Sequence, residues 1–199
     1  MNIEKTETHS NLLKEFYQSY AQVDLDILKE IFNSMQARAY KRRFHLLRDG
    51  DPVVKHYFIL KGCVRLYFMN EQGQEANVYF GTEGYWLSFF LPKENNITND
   101  YYVECIENCE FLEITRDDFY NFMKKDPTVA TVYIERLENM ILKTLKRTRS
   151  HMSESAEDRY LEFIKENKEL SMRIADIQIA RYLGITPAFL SKMKKRLLH

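Results

Sequence analysis

The stretch from Ile174 to His199, IADIQIARYLGITPAFLSKMKKRLLH, concentrates the groups best suited to hold a polyanion. Thr186, Ser191, Lys192, Lys194, Lys195 and Arg196 bring hydroxyls, ammonium groups and a guanidinium into one helix-length segment. Such donors match phosphate oxygens and the acceptors on base edges. Lys192 can donate to guanine or to a phosphate, and Ser191, Lys194, Lys195 and Arg196 suit the backbone. Pro187 and Ala188 are apolar and can touch a thymine methyl, although Pro187 serves equally well as the first residue of a helix.

These donors work only if a neighbouring element turns them outward. Ile179, Leu183, Ile185, Leu190 and Met193 recur at helical spacing and supply a shared core for two short helices. Ala180 is small enough for the helices to cross closely, and Gly184 suits a left-handed turn residue between them. The pattern predicts a helix-turn-helix, whose second helix fits the major groove of DNA. Charge agrees: residues 1–140 hold 16 Lys+Arg against 22 Asp+Glu, whereas residues 141–199 hold 13 against 7. A solvated charged helix explains such a tail too, but its coincidence with the helix-turn-helix favours a polyanionic partner.

Other chemistries find weaker support. Cys63, Cys105 and Cys109 are an odd set for a disulfide framework, and Cys105 and Cys109 have no further ligands nearby at zinc or iron–sulfur spacing. The histidines are scattered, so no metal and no cofactor is predicted. No nucleophile–base constellation stands out, and the expectation is that the chain is not an enzyme. The start, MNIEKTETHS, lacks a secretory pattern, and no apolar run has the length of a membrane span. A cytoplasmic protein without a membrane partner is expected.

The rest of the chain must carry and move the basic tail. Ser10–Gln18 and Asp24–Met35 read as helices. Five of the six glycines fall between residues 50 and 84, and between them HYFILKG, CVRLYFMN and ANVYFG read as strands, with a hairpin turn at Glu71 to Gln74. Asn99 to Ile114 reads as two more strands joined near Glu107-Asn108. Thr115 is the expected cap of a following helix that stops at Pro127. A long helix is expected from about Thr128 to Met152, with Ile134, Leu137, Ile141, Leu145 and Thr148 as a stripe. That stripe can pack on its own sheet or on a second subunit; a homodimer is favoured, because helix-turn-helix proteins bind paired half-sites. Ser153-Glu154-Ser155 reads as a hinge or cap, then come a helix in SAEDRYLEFIKEN and a polar connection from Glu166 to Arg173. The fold class is α+β: an antiparallel jelly roll, a long helix and a terminal helix-turn-helix. Its domains are residues 1–127 (effector domain), 128–152 (dimerisation helix) and 153–199 (DNA-binding domain).

This order resembles the Crp/Fnr family of bacterial transcription regulators over nearly the whole chain. LLRDGDPVVKHYFILKGCVRLYF looks like the family's early strands, ENCEFLEITRDDFYNFMKKDP like its last strand and next helix, RYLEFI like the helix before the DNA-reading unit, and ARYLGITPAFLSKMKKRL like its helix-turn-helix. The resemblance implies a cyclic-nucleotide-binding-like double-stranded β-helix over residues about 20–125 and a dimer through the long helix. It also implies binding to a palindromic promoter site in double-stranded DNA, with RNA polymerase as a possible contact. Ser88-Phe89 stand where the nucleotide binders carry Gly-Glu, and their Arg-Ser or Arg-Thr pair falls near Asn99-Asp100, so cAMP is not the expected effector. The N-terminal cysteine cluster of the oxygen-sensing branch is absent, and the sequence given ends just past the second helix, so a reduced or absent wing is expected. For the unknown effector, Arg65, Tyr79, Tyr85, Trp86, Ser88, Phe89 and Tyr101 form a candidate pocket, with ordinary sandwich core as the competing reading. Two alternative functions stay open: a small-molecule-binding sensor module that ignores DNA, and a cupin-like metalloenzyme.

Overall fold

The computed structural model describes residues 1–87 and 100–197. Two helices open the chain, α1 (Glu7–Gln18) and α2 (Leu25–Ser34). Thr6 caps α1 by accepting from the His9 amide, while the His9 ring accepts from the Thr6 amide, so two otherwise orphaned N–H groups are satisfied reciprocally. Among the described residues eight strands follow: β1 (Gln36–Tyr40), β2 (His45–Leu47), β3 (Lys55–Lys61), β4 (Val64–Met69), β5 (Glu75–Gly81), β6 (Trp86–Leu87), β7 (Tyr102–Cys105) and β8 (Cys109–Thr115). They form two four-stranded sheets, in the orders β1-β8-β3-β6 and β2-β7-β4-β5. Pairing is antiparallel where β1 and β3 flank β8, with Ala37 opposite Leu112 and Phe58 opposite Leu112 from the other side. Five more helices and the long rod complete the chain: α3 (Arg116–Lys125), α4 (Pro127–Ser153), α5 (Ala156–Glu166), α6 (Lys168–Arg173), α7 (Asp176–Leu183) and α8 (Pro187–Leu197).

The chain divides into two compact units, and the division falls inside α4. The first comprises Met1–Leu66 and Phe80–Asn139; the second comprises Tyr67–Tyr79 and Met140–His199. In the first unit the core joins the opening helices to the sheet: Leu13, Tyr17, Ile31, Phe58, Trp86, Leu112, Phe119 and Val129 are all buried together. Aromatic edges dominate the contact, with Trp86 at 5.1 Å from Phe119 and 5.6 Å from Phe58 between ring centroids. At Gly62, φ is +95° and a Cβ would sit 2.6 Å from the Asn108 carbonyl oxygen, so glycine alone fits where β3 turns into β4.

The antiparallel sandwich with flanking helices agrees with the expected fold class. Two local readings need correction. The polar run expected as a connection contains α6, a six-residue helix whose last-turn Arg173 suits its C-terminal end. β1 and the two-residue β6, too short or too weakly apolar to stand out in the sequence, are held in the sheet by partners on β8 and β3.

Candidate nucleic-acid interface

In the second unit, α7 and α8 are joined by a tight turn at Gly184, which adopts φ +68°, the left-handed conformation that a side chain would strain. The Ile185 amide closes the turn by donating to the Ala180 carbonyl at 3.0 Å. Ala180, Ile179, Leu183, Leu190 and Met193 are buried between the helices. Thr186 starts α8, its hydroxyl accepting from the Phe189 amide at 3.2 Å.

The pattern of exposure along α8 defines a face. Thr186, Pro187, Ala188, Ser191, Lys192 and Lys195 are exposed, and they recur at the i, i+4, i+8 spacing of one helix stripe. Among the described residues, neither Lys192 nor Lys195 has an ion-pair partner, so both ammonium groups are available to an incoming anion. Lys194 and Arg196 are placed differently. Lys194 lies 2.8 Å from both Asp176 carboxylate oxygens, and that hydrogen bond raises the lysine pKa. Arg196 donates to Glu157. Both cations therefore brace α8 against its own unit. Phe189 is exposed, adding an apolar surface to the same helix.

Three hairpin residues pack on this unit in a way the sequence did not suggest. Asn77 donates through Nδ2 to both the backbone carbonyl and the side-chain oxygen of Gln178 in α7, each at 2.9 Å. Glu75 pairs with Arg181 at 2.6 Å. Arg147 of α4 donates to the carbonyls of Val78, of Asn77 at 2.9 Å and of Tyr182 at 2.7 Å, and its guanidinium lies 4.1 Å from the Tyr182 ring centroid. The β4–β5 hairpin and α7 are thus fastened by a half-buried arginine and an amide pair. His151 lies beside the Gly184 turn, and burial, followed by the charges of Arg147 and Arg159, lowers its pKa.

On α4, Ile134, Ile141, Leu145 and Thr148 are exposed and Leu137 is half-buried. Leu142, outside the expected stripe, is exposed as well.

Of the residues expected to line an effector pocket, Ser88 and Phe89 lie outside the described residues. Arg65 is buried and committed to Glu104, whose carboxylate lies 2.6 Å from its guanidinium. Tyr79 falls in the second unit and Tyr101 is exposed. Trp86 alone of the set lines a small cavity, whose other walls come from α1, α3 and α4, and Tyr85 stacks under the Arg136 guanidinium at 5.3 Å. Arg65 thus spends its charge on a neighbouring strand. Cys63, Cys105 and Cys109 are free thiols in the core, and no metal-ligating cluster occurs among the described residues. No described helix is long and apolar enough to cross a membrane.

Comparison with known proteins places this architecture. Residues 37–126 match the family profile of the cyclic nucleotide-binding domain. A comparison with curated protein sequences finds no match. Among solved structures, the c-di-GMP-responsive global regulator CLP of Xanthomonas campestris is similar over 88% of this chain and 92% of its own, with a TM-score of 0.74 at 17% identity. FixK2 from Bradyrhizobium japonicum covers 82% and 84%, with a TM-score of 0.67 at 19% identity. A transcriptional regulator of the Crp/Fnr family from Eubacterium rectale covers 92% and 88%, with a TM-score of 0.71 at 14% identity. Residues 37–126 thus match the cyclic nucleotide-binding domain profile, and the chain shares its fold with solved Crp/Fnr-type regulators.

Proposed function

We propose that this chain is a sequence-specific DNA-binding transcription regulator of the Crp/Fnr type. The observation that carries the reading is the outward face of α8: two unpaired lysines, two hydroxyls and a small apolar start, held out by the buried Leu190 and Met193. Lys192 reads a base edge or a phosphate, Lys195, Thr186 and Ser191 position the backbone, and Pro187 with Ala188 lies against a thymine methyl. Lys194 and Arg196 support α8 through Asp176 and Glu157 and touch phosphate only from the edge of the face.

In this reading residues 1–127 are the effector domain, 128–152 the dimerisation helix and 153–199 the DNA-binding domain. The apolar stripe of α4 pairs two copies, so that two α8 helices meet a palindromic promoter site in half-sites roughly 34 Å apart. An effector other than cAMP gates the spacing, because Ser88-Phe89 replaces Gly-Glu and Arg65 is already paired. RNA polymerase is the natural further partner, and the site of action is the cytoplasm.

The test is binding of the purified protein to fragmented genomic DNA, followed by anisotropy on the enriched sequence. Wild type binds with an affinity that falls steeply with salt. Lys192→Ala with Lys195→Ala weakens binding about tenfold or more and lowers the salt slope by about two charges. Unchanged affinity at matched salt refutes the assigned face.

A further inference from the structure

The first unit holds a cavity whose chemistry the DNA-binding reading does not use. It is partly open and has about 10 Å³ of room, roughly that of one water molecule. Its walls are Phe16 and Tyr17 of α1, Trp86 of β6, Phe119 of α3, and Tyr133 and Arg136 of α4, with two valines behind them.

The polar groups of this wall are unusual in their balance. Arg136 is only 6% exposed. Its Nη2 donates to the Trp86 carbonyl, while its buried Nη1 has no acceptor among the described residues. No described carboxylate pairs with it. Trp86, 1% exposed, has a buried Nε1–H that also lacks an acceptor among the described residues. Two residues that line the cavity therefore each carry a buried N–H donor without an acceptor among the described residues. A buried guanidinium without a counter-charge is costly, far more than a buried neutral donor. The surrounding field is positive as well: burial first, then the charges of Arg116 and Arg136, depresses the His56 pKa to about 4.

We propose that this cavity binds one small monovalent inorganic anion of halide size, held by Arg136 Nη1 and Trp86 Nε1. A water molecule accepts from the same two donors but leaves the guanidinium charge uncompensated. The anion ties the start of α4 to β6, and its binding is independent of whether α8 meets DNA.

The single tryptophan makes the site directly readable. Trp86 is shielded from bulk collisions, so dissolved bromide reaches its ring only through a bound position. The experiment titrates sodium bromide into the full chain against sodium gluconate at constant ionic strength and records tryptophan emission. The expected result is quenching that saturates, and that chloride reverses by competition. Quenching that rises linearly, or that chloride leaves unchanged, overturns the proposal. Arg136→Gln keeps an amide donor for the Trp86 carbonyl and removes the charge; it raises the half-saturating bromide concentration roughly tenfold or more. A folded Gln variant with the wild-type midpoint also overturns it. Should that variant not fold, chloride competition on the wild type decides alone.

Discussion

Arg147 is the strongest point at which to test the account of the second unit. Its guanidinium donates to three carbonyls, those of Val78, Asn77 and Tyr182, and stacks on the Tyr182 ring. Burial works against its charge and lowers its pKa, so the carbonyls and the ring must compensate. Arg147→Met keeps the aliphatic stem and removes the fork. Hydrogen bonds from a charged donor are worth about 1.5–3 kcal/mol each, and the ring contact about 0.5–2 kcal/mol. The three bonds share one group and do not add, and half-exposed carbonyls can turn to water, so the expected loss is about 2–4 kcal/mol. Urea denaturation followed by far-ultraviolet circular dichroism measures it, with the transition midpoint falling at unchanged slope. Arg147→Lys restores less than half, because one ammonium group cannot span three carbonyls while stacking on the ring. A loss below about 0.5 kcal/mol, typical of a surface substitution, refutes the view that this arginine fastens the hairpin to α7.

Three further outcomes follow from the same geometry. His56 is fully buried with both ring nitrogens unpartnered among the described residues, and its pKa falls from 6.5 to about 4. Its contribution is therefore complete above pH 6.5 and is lost as pH drops toward 4, by up to about 3 kcal/mol; His56→Phe flattens that part of a stability–pH curve. Ile141→Glu with Leu145→Glu places charges on the exposed stripe of α4, and by symmetry each counts twice. The expected loss of about 3–6 kcal/mol weakens a dimer a hundredfold or more, which sedimentation velocity detects as monomer. Gly62→Ala meets the Asn108 carbonyl oxygen at 2.6 Å in a left-handed conformation, so thermal unfolding shifts down by more than the about 1–2 kcal/mol of backbone strain alone.

The helix-turn-helix was legible because its pattern is local: five core positions, one small crossing residue and one turn glycine lie within fifteen residues. The long α4 was legible for the same reason, since no proline or glycine interrupts its apolar period. What sequence could not give were contacts made across long separations. Arg147 and Arg136 sit in rows of charged residues that read as solvent-facing, yet both turn inward to bind carbonyls of distant strands. Aromatic residues near Trp86 were grouped by their neighbourhood in the chain, whereas the cavity draws its walls from α1, α3 and α4, segments up to about seventy residues away. Residue type still left one clue: a lone tryptophan in a strand-like stretch calls for a partner for its N–H.

The second unit is stitched from two separate lengths of polypeptide, Tyr67–Tyr79 and Met140–His199. No single cleavage can therefore liberate it whole. A fragment trimmed to begin at Met140 leaves behind two of the three carbonyls that receive Arg147 and the amide that greets Gln178. Anyone excising the tail to study it in isolation will be handling a frayed remnant, and should graft the hairpin back through a short linker before judging how the tail behaves.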